Sequence, residues 1–225
     1  MIKAVFFDWV VTLAHPEPDS HEIVHQVAKG LGVELPPQGL IKGLHVAENQ
    51  MPWGAPPMWR EGKDEEAFIR WWEIVLAEVG VKLSREVMLE MTRRVSQVAR
   101  NLTWVLYDDA LPTIKTLKQQ GLILGVISNL PIDRSASVSL EPYLNFVVTS
   151  KEAGASKPES PIFLVALEQA KVKASEAVYV GDQYQTDVVG ARVVGITPIL
   201  IDRFDLESVS DCHRIYSLTE LAQYL

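Results

Sequence analysis

Polar side chains with catalytic potential stand beside short apolar segments at four places along this chain. They are Asp8 with Thr12, Ser128 with Asn129, Lys157, and Asp182 with Asp187. Each alone has an ordinary structural explanation, such as the end of a strand, a turn or a helix cap. Together they supply a carboxylate nucleophile, hydroxyl donors, an ammonium and further carboxylates, which is the set that phosphoryl transfer through an aspartyl intermediate requires.

Parallel strands of one sheet are predicted to bring these side chains together. Short apolar segments rich in β-branched or aromatic residues are typical of buried parallel strands. Such segments occupy residues 4–7, 122–127, 146–149, 177–180 and 197–201. Helical patterns occupy residues 111–120, 161–170, 188–194 and 218–225. The alternation predicts an α/β fold with a doubly wound, Rossmann-like parallel sheet, whose ligands bind beyond the carboxyl ends of the strands.

A second region interrupts this alternation of strands and helices. Its helical patterns follow one another at residues 22–31, 38–50, 65–79 and 85–98. The proline-rich residues 52–57 are predicted to form a loop. We therefore expect an all-helical domain at residues 15–106, inserted into an α/β core formed by residues 1–14 and 107–225.

Composition and charge narrow the range of partners. The chain of 225 residues has a formal net charge of -8, and an acidic surface disfavours nucleic acid. No apolar segment approaches the roughly 20 residues that span a bilayer, so no membrane association is expected. The start of the chain lacks a leader pattern, and the single cysteine, Cys212, is typical of a reducing compartment, which predicts the cytoplasm. We expect a small-molecule substrate and a monomer or homodimer.

The four polar sites resemble, in order, the four motifs of the haloacid dehalogenase superfamily. Residues 6–13, Phe-Phe-Asp-Trp-Val-Val-Thr-Leu, resemble the first motif, an apolar strand followed by Asp-x-Asp-x-Thr. Val-Ile-Ser-Asn at residues 126–129 resembles the second motif, and Lys157-Pro158 resembles the third. Val-Tyr-Val-Gly-Asp at residues 178–182, with Asp187, resembles the fourth. The helical insertion is similar to the family's small cap of subfamily I, which closes over the active site and selects the substrate.

The resemblance implies a role for each of these side chains. Asp8 would be the nucleophile, and Thr12 and Ser128 would hydrogen-bond the transferred group. Lys157 would neutralise the crowded carboxylates and, with Ser128 and Asn129, bind the substrate. These roles agree with the general use of preorganised donors around a developing negative charge.

The resemblance also implies a magnesium-dependent hydrolase. Mg²⁺ would be held by the carboxylates of Asp8 and Asp182 and by the backbone carbonyl of Val10, with Asp187 beside these ligands. Oxygen atoms are the ligands that this ion prefers. Because the contribution of Val10 is a backbone atom, its side chain does not affect the ligand set.

The Val10 side chain nevertheless departs from the family's pattern. In typical phosphatases of the family this position is an aspartate that protonates the leaving group and then deprotonates the attacking water. Such acid–base help is typically worth ~10²–10⁴ in rate, and valine provides none. We therefore expect a phosphohydrolase on small phosphorylated metabolites with good leaving groups, such as acyl phosphates, aryl phosphates or phosphoanhydrides. Val11 is a second departure, because the family's usual residue there is glycine.

Three alternatives stay open. The segment Asp8-Trp9-Val10 resembles the first motif of phosphonoacetaldehyde hydrolases, which also need a cap lysine that forms a Schiff base; Lys42 and Lys63 are candidates by location. L-2-haloacid dehalogenases also lack the second aspartate and work without metal, but their fourth motif differs from Gly181-Asp182-Gln183. Loss of the acid fits a catalytically silent binding module as well, although buried carboxylates with a lysine are costly unless they bind something.

Overall fold

The computed structural model describes residues 1–51, 65–132, 134–207 and 211–225, and it forms two compact units. One unit comprises Met1–His15 and Trp104–Leu225, and the other is Pro16–Thr103. The second unit is therefore an insertion into the first. The proline-rich segment at residues 52–57, which the sequence predicts to be a loop, lies outside the described residues.

The strands of the described residues form two sheets. In chain order they are β1 (Ala4–Phe7), β2 (Ala14–Glu17), β3 (Thr103–Leu106), β4 (Ile123–Ser128), β5 (Phe146–Thr149), β6 (Ala177–Gly181), β7 (Thr197–Ile201) and β8 (His213–Ile215). β2 and β3 pair with each other. The other six form one sheet in the order β5-β4-β1-β6-β7-β8, in which every neighbouring pair is parallel.

The predicted core strands are confirmed to within one residue at each end. Three strands were not predicted, and each lacks the continuous buried apolar segment on which the prediction depends. β2 alternates between buried and accessible residues, β3 has no fully buried residue, and β8 buries only Ile215. The sequences of these three strands carry no clear strand pattern of their own, and their conformation depends on pairing with neighbouring strands.

Most helices of the described residues begin and end close to the predicted positions, whereas the two short helices at residues 134–137 and 150–153 were not predicted. The helices are α1 (Ser20–Gly30), α2 (Pro37–Gln50), α3 (Glu65–Val79), α4 (Arg85–Ala99), α5 (Ala110–Gln119), α6 (Arg134–Ser137), α7 (Ser150–Ala153), α8 (Ser160–Ala170) and α9 (Gly190–Val193). No helix within the described residues is both long and apolar enough to cross a membrane.

Two predicted α-helices have a different geometry. The segment at residues 188–194 begins earlier, as the π-helix Tyr184–Val189, and only then continues as α9. The C-terminal segment is the 3-10 helix Leu218–Tyr224, which begins with a capping box formed by Ser217 and Glu220. Periodicity alone does not distinguish these tighter or wider turns from an α-helix.

Helices cover both faces of the six-stranded sheet. Successive side chains of β1 point to opposite faces, so Val5 and Phe7 belong to one buried apolar cluster and Phe6 to another. The first cluster includes Ile114 of α5, and the second includes Phe163 of α8. All four residues of β1 are completely buried. The predicted doubly wound α/β sheet is therefore confirmed, with β1 in its interior.

The inserted unit has an apolar core of its own. Helices α1 to α4 enclose a cluster that includes Trp71 and Trp72, each 1% exposed. The indole N–H of Trp72 donates to the Thr92 hydroxyl at 2.8 Å, which satisfies the polar atom of this buried side chain. α2 and α3 approach closely because residue 43 is glycine: a Cβ there would lie 2.5 Å from the Val75 carbonyl oxygen.

Candidate active site

The sheet places the predicted site residues at the carboxyl ends of three adjacent strands. Asp8 directly follows β1, Ser128 ends β4 and Asp182 directly follows β6, with β1 paired to both neighbours. The backbone N–H of Asp8 still donates to the Val180 carbonyl at 2.8 Å, so the residue is fixed to the end of the sheet. The chain runs outward from β1 in opposite directions through β4 and β6, and such a switch point is where open sheets bind ligands.

The ammonium group of Lys157 joins the site together. Its Nζ donates to Asp8 Oδ1 at 2.5 Å, to Asp187 Oδ1 at 2.7 Å and to the Tyr179 hydroxyl at 2.8 Å. A lysine has three N–H donors, and all of them are used by these partners. Burial lowers the pKa of Lys157, but attraction by Asp187 and Asp8 outweighs it and raises the pKa above its usual value. Lys157 is therefore a buried permanent cation.

The charged form of Asp8, the proposed nucleophile, is destabilised by burial. Burial, opposed by the attraction of Lys157 and assisted by the nearby Asp187, raises the pKa of Asp8 to about 6. Asp8 as a whole residue is 7% exposed. Because the anion is only partly compensated, a further positive charge at this position would stabilise it.

Tyr179 is a member of the site that the sequence analysis missed. Its hydroxyl donates to Asp187 Oδ1 at 2.9 Å, while it accepts the hydrogen bond from Lys157. Burial raises the pKa of Tyr179 well above its usual value, and Asp187 adds to this, so the phenol keeps its proton. The sequence feature that could have revealed Tyr179 is a tyrosine within a strand that is fully buried, because a buried hydroxyl needs a polar partner.

The position of the Asp187 carboxylate depends on an irregular helical turn and on a glycine in the neighbouring strand. The π-helix turns the Asp187 side chain back toward β6, where its Oδ2 accepts from the Gln183 backbone N–H at 3.0 Å. A Cβ atom on Gly181 would lie 2.4 Å from Asp187 Cγ, so only glycine leaves room for this carboxylate. π-Helical turns are frequent at functional sites for this kind of local redirection.

The carboxylates of Asp8, Asp182 and Asp187 form a group that could hold a metal ion. Each offers an oxygen, and these oxygens all lie within 4.8 Å of one another. It is the one such group among the described histidine, cysteine and acidic residues. Two of the three carboxylates share the single positive charge of Lys157. The remaining negative charge and the all-oxygen donor set fit a hard divalent cation such as Mg²⁺.

Asn129 holds Lys157 in place through its backbone. The amide Oδ1 accepts from the Lys157 N–H at 2.7 Å, and Nδ2 donates to the Lys157 carbonyl at 3.1 Å. The Asn129 carbonyl accepts in turn from the Ser150 hydroxyl at 2.8 Å. The contact between Asn129 and substrate stays a prediction, but these reciprocal bonds give its side chain a positioning function.

The two hydroxyls predicted to contact the transferred group are both buried. Ser128 Oγ accepts from the Leu130 N–H at 3.1 Å, and its residue is 1% exposed. Thr12 is completely buried, and within the described part of the chain its Oγ1 has no hydrogen-bond partner. A buried hydroxyl without a partner is unfavourable by about 1–3 kcal/mol, which points to a ligand oxygen as its missing acceptor.

Comparisons with known proteins give a consistent result. A family model described as haloacid dehalogenase-like hydrolase matches residues 2–195. Ribulose-1,5-bisphosphate 5-phosphatase of Halopiger xanaduensis is 36% identical over 101 residues, which are 43% of this chain and only 42% of that protein. Haloacid dehalogenase-like hydrolase domain-containing protein 3 of Homo sapiens is 29% identical to this chain over 230 residues, which are 95% of this chain and 88% of that protein. The crystal structure of a HAD phosphatase from Thermococcus onnurineus has a TM-score of 0.59 at 26% identity, covering 99% of this chain and 97% of that one.

A methyl group on Gly181 tests the geometry around Asp187. Gly181→Ala should lower the unfolding free energy by roughly 1–3 kcal/mol, because the added Cβ overlaps the Asp187 carboxylate. Gly30→Ala is the matched control, since its Cβ would meet nothing nearer than Arg94 Nη1 at 3.9 Å. Urea unfolding of both variants provides the measurement. Equal stability of Gly181→Ala and the control would contradict the close approach.

The raised pKa of Asp8 predicts a pH-dependent stability. Between pH 4 and about 6 the folded state holds a proton that the unfolded state releases, so stability falls as the pH rises through this window. Asp8→Asn does not titrate, and in chelator it should become increasingly more stable than the wild type, by on the order of 1–3 kcal/mol at pH 7. Urea unfolding at several pH values measures the difference. A stability difference that does not change with pH would refute the shift.

Proposed function

The chain belongs to the haloacid dehalogenase-like hydrolases, and on this premise we propose that it is a phosphohydrolase of small phosphorylated metabolites with Asp8 as its nucleophile. The observation that carries the proposal is the buried ion-pair network in which Lys157 joins Asp8 and Asp187 at the switch point of the sheet. A phosphatase named among the relatives supports the substrate class.

Asp8 Oδ1 accepts a hydrogen bond from Lys157, so we assign the attack on phosphorus to Asp8 Oδ2. The new bond from oxygen to phosphorus forms as the bond to the leaving group breaks, and the leaving group departs with the electron pair. Water then attacks the phosphorus of the aspartyl phosphate, the Asp8 carboxylate is released, and the proton of the water passes to phosphate or solvent. Splitting the reaction in this way replaces one difficult step by two easier ones.

The remaining side chains would compensate the negative charge of the phosphoryl group. Lys157 keeps its cation beside Asp8 throughout, because both carboxylates raise its pKa. Thr12 and Ser128 would donate hydroxyl hydrogen bonds to the phosphoryl oxygens, and the unpartnered Thr12 Oγ1 supports this assignment. Such donors act without reorganisation because the surrounding protein holds them in position.

Mg²⁺ is the cofactor that the donor set fits. Asp8, Asp182 and the backbone carbonyl of Val10 would hold it. Asp187 would stand beside these ligands, since its Oδ1 already accepts from Lys157 and Tyr179 and its Oδ2 from Gln183. When bound, the ion would neutralise charge on the phosphoryl oxygens.

Val10, Lys157 and Tyr179, three described side chains of the site, are unsuited to protonate a leaving group. Val10 is a half-buried apolar residue and has no proton to give. Lys157 has no N–H donor to spare and a raised pKa, and the Tyr179 hydroxyl keeps its proton in a hydrogen bond to Asp187. We therefore infer a preference for substrates whose leaving groups are stable anions, such as acyl phosphates, aryl phosphates and phosphoanhydrides.

The alternatives have weaker support. A metal-independent dehalogenase has no use for the carboxylate cluster of Asp8, Asp182 and Asp187. A Schiff base requires a neutral lysine, but Lys42 is 57% exposed and pairs with Glu78 at 2.7 Å; Lys63 lies outside the described residues. A silent binding module has the same ion-pair network without turnover, and activity measurements distinguish it from the proposed enzyme.

Removal of the nucleophile or of the metal ligand should abolish turnover. Asp8→Asn and Asp182→Asn should each reduce Mg²⁺-dependent hydrolysis of an aryl phosphate by roughly 10³-fold or more, and a chelator should have the same effect on the wild type. Glu168→Gln, an exposed change on α8, is the control. Colorimetric assays with and without chelator give the rates. Undiminished hydrolysis by Asp8→Asn would exclude Asp8 as nucleophile, and haloacid turnover in chelator would establish a dehalogenase.

Restoring an acid at position 10 should broaden the substrate range. Val10→Asp should raise the turnover of alkyl phosphates by a large part of the ~10²–10⁴ that a general acid provides. Aryl phosphates should gain less in formation of the intermediate, because their leaving group needs no proton. Steady-state and burst kinetics on a matched pair of substrates separate the two steps. If neither Val10→Asp nor its combination with Val11→Gly gains activity while the wild type hydrolyses another substrate class, the phosphatase proposal is wrong.

A further inference from the structure

A largely buried arginine side chain holds the loop that follows β1. Arg203 lies after β7, and its side chain is 9% exposed. Its Nε donates to the Val11 carbonyl at 2.9 Å and one Nη donates to the Thr12 carbonyl at 2.7 Å. The guanidinium also lies 3.8 Å from the centre of the Tyr107 ring. Two consecutive carbonyls of the loop are thus held by one planar group from a distant part of the chain.

The loop needs such a contact because it contains a strained residue. Val11 has a φ angle of 60°, in the left-handed region that disfavours β-branched side chains. The turn is closed by hydrogen bonds from the Val11 N–H to the Ala14 carbonyl at 2.8 Å and from the Leu13 N–H to the Trp9 carbonyl at 3.0 Å. A residue in this conformation persists only when the surrounding structure holds it there.

Arg203 is itself fixed by Asp109. The two Nη atoms donate to the two oxygens of Asp109 at 3.0 and 2.9 Å. Asp109 also accepts from the Ser217 hydroxyl at 2.7 Å and the Leu218 N–H at 2.9 Å. This planar, bidentate pair sets the orientation of the guanidinium, which a lysine could not reproduce.

We propose that Arg203 is a positioning residue of the active site: it holds Val11 in the left-handed conformation and thereby fixes the Val10 carbonyl and the Thr12 hydroxyl on either side. The link to catalysis rests on the proposed function, whereas the restraint on the loop does not. A displacement near 1 Å in a catalytic group can lower the rate ~10²-fold, so loosening this loop is expected to affect the reaction.

Glycine at position 11 gives the proposal a specific signature. Glycine adopts positive φ without strain. In Arg203→Met the strained valine should leave its conformation, whereas in Val11→Gly/Arg203→Met the loop can keep it. The second substitution should therefore restore the geometry of the site even though the hydrogen bonds of Arg203 stay lost. A residue with only a structural role would show no such rescue.

The test combines amide exchange, metal binding and kinetics. Arg203→Met should speed exchange of the Val11 and Leu13 amides at least ~10-fold, weaken Mg²⁺ binding in calorimetry about 10-fold, and lower kcat on an aryl phosphate more than it raises KM. Arg203→Lys should show effects of intermediate size on all three measurements, and it replaces Arg203→Met in the test if that variant does not fold. Val11→Gly/Arg203→Met should regain most of the Mg²⁺ affinity. Arg93→Met, at an exposed arginine of α4, is the control.

Each outcome has a distinct meaning. Unchanged exchange in both Arg203 variants overturns the restraint, whatever the enzyme does. Faster exchange with unchanged Mg²⁺ affinity and kinetics overturns the positioning role and leaves Arg203 structural. A wild type that neither binds Mg²⁺ nor turns over overturns the proposed function, and the exchange arm then still decides whether Arg203 restrains the loop.

Discussion

The arrangement of the site depends on one buried ammonium group. Asp8, Asp182 and Asp187 converge because their strands and turns end at the same edge of the sheet, and uncompensated carboxylates so close together would repel strongly. Lys157 makes this arrangement tolerable by bonding two of them directly. Its position is fixed from the other side by the backbone bonds of Asn129. The charge that Lys157 does not neutralise makes the site suited to a cation and then to an anionic substrate.

The same network accounts for the proposed restriction on leaving groups. The protons of Lys157 and Tyr179 are engaged with Asp187 and Asp8, and the residue at position 10 is apolar. If Asp8 is the nucleophile and these described side chains give no proton to the leaving group, the site would favour substrates that need no protonation. Valine at position 10 cannot act as a general base either, so in the proposed mechanism hydrolysis of the aspartyl intermediate would be slow and the intermediate is expected to accumulate.

Sequence patterns predicted the parts of the structure that depend on local information. The core strands are continuous apolar segments, and the helices of the insertion have clear periodicity, so both were found. Sequence patterns missed Tyr179, Arg203 and the positioning function of Asn129, because the roles of these residues depend on partners distant in sequence. Arg203, for example, contacts Val11, which is 192 positions away. The π-helix that turns Asp187 inward was missed as well, since its residues have ordinary helical character. Motif residues can be identified one by one, whereas the residues that hold them in place become visible only when the chain is folded.

If Asp8 is the nucleophile, as we propose, its carboxylate becomes covalently phosphorylated during turnover. Mass spectrometry of acid-quenched enzyme, mixed with an aryl phosphate and Mg²⁺ and digested with protease, tests this claim directly. One added phosphoryl group is expected on the peptide that contains Asp8, appearing within the first turnover and absent in Asp8→Asn. Product formation by the wild type without any phosphorylation of that peptide, or phosphorylation that persists in Asp8→Asn, would contradict it.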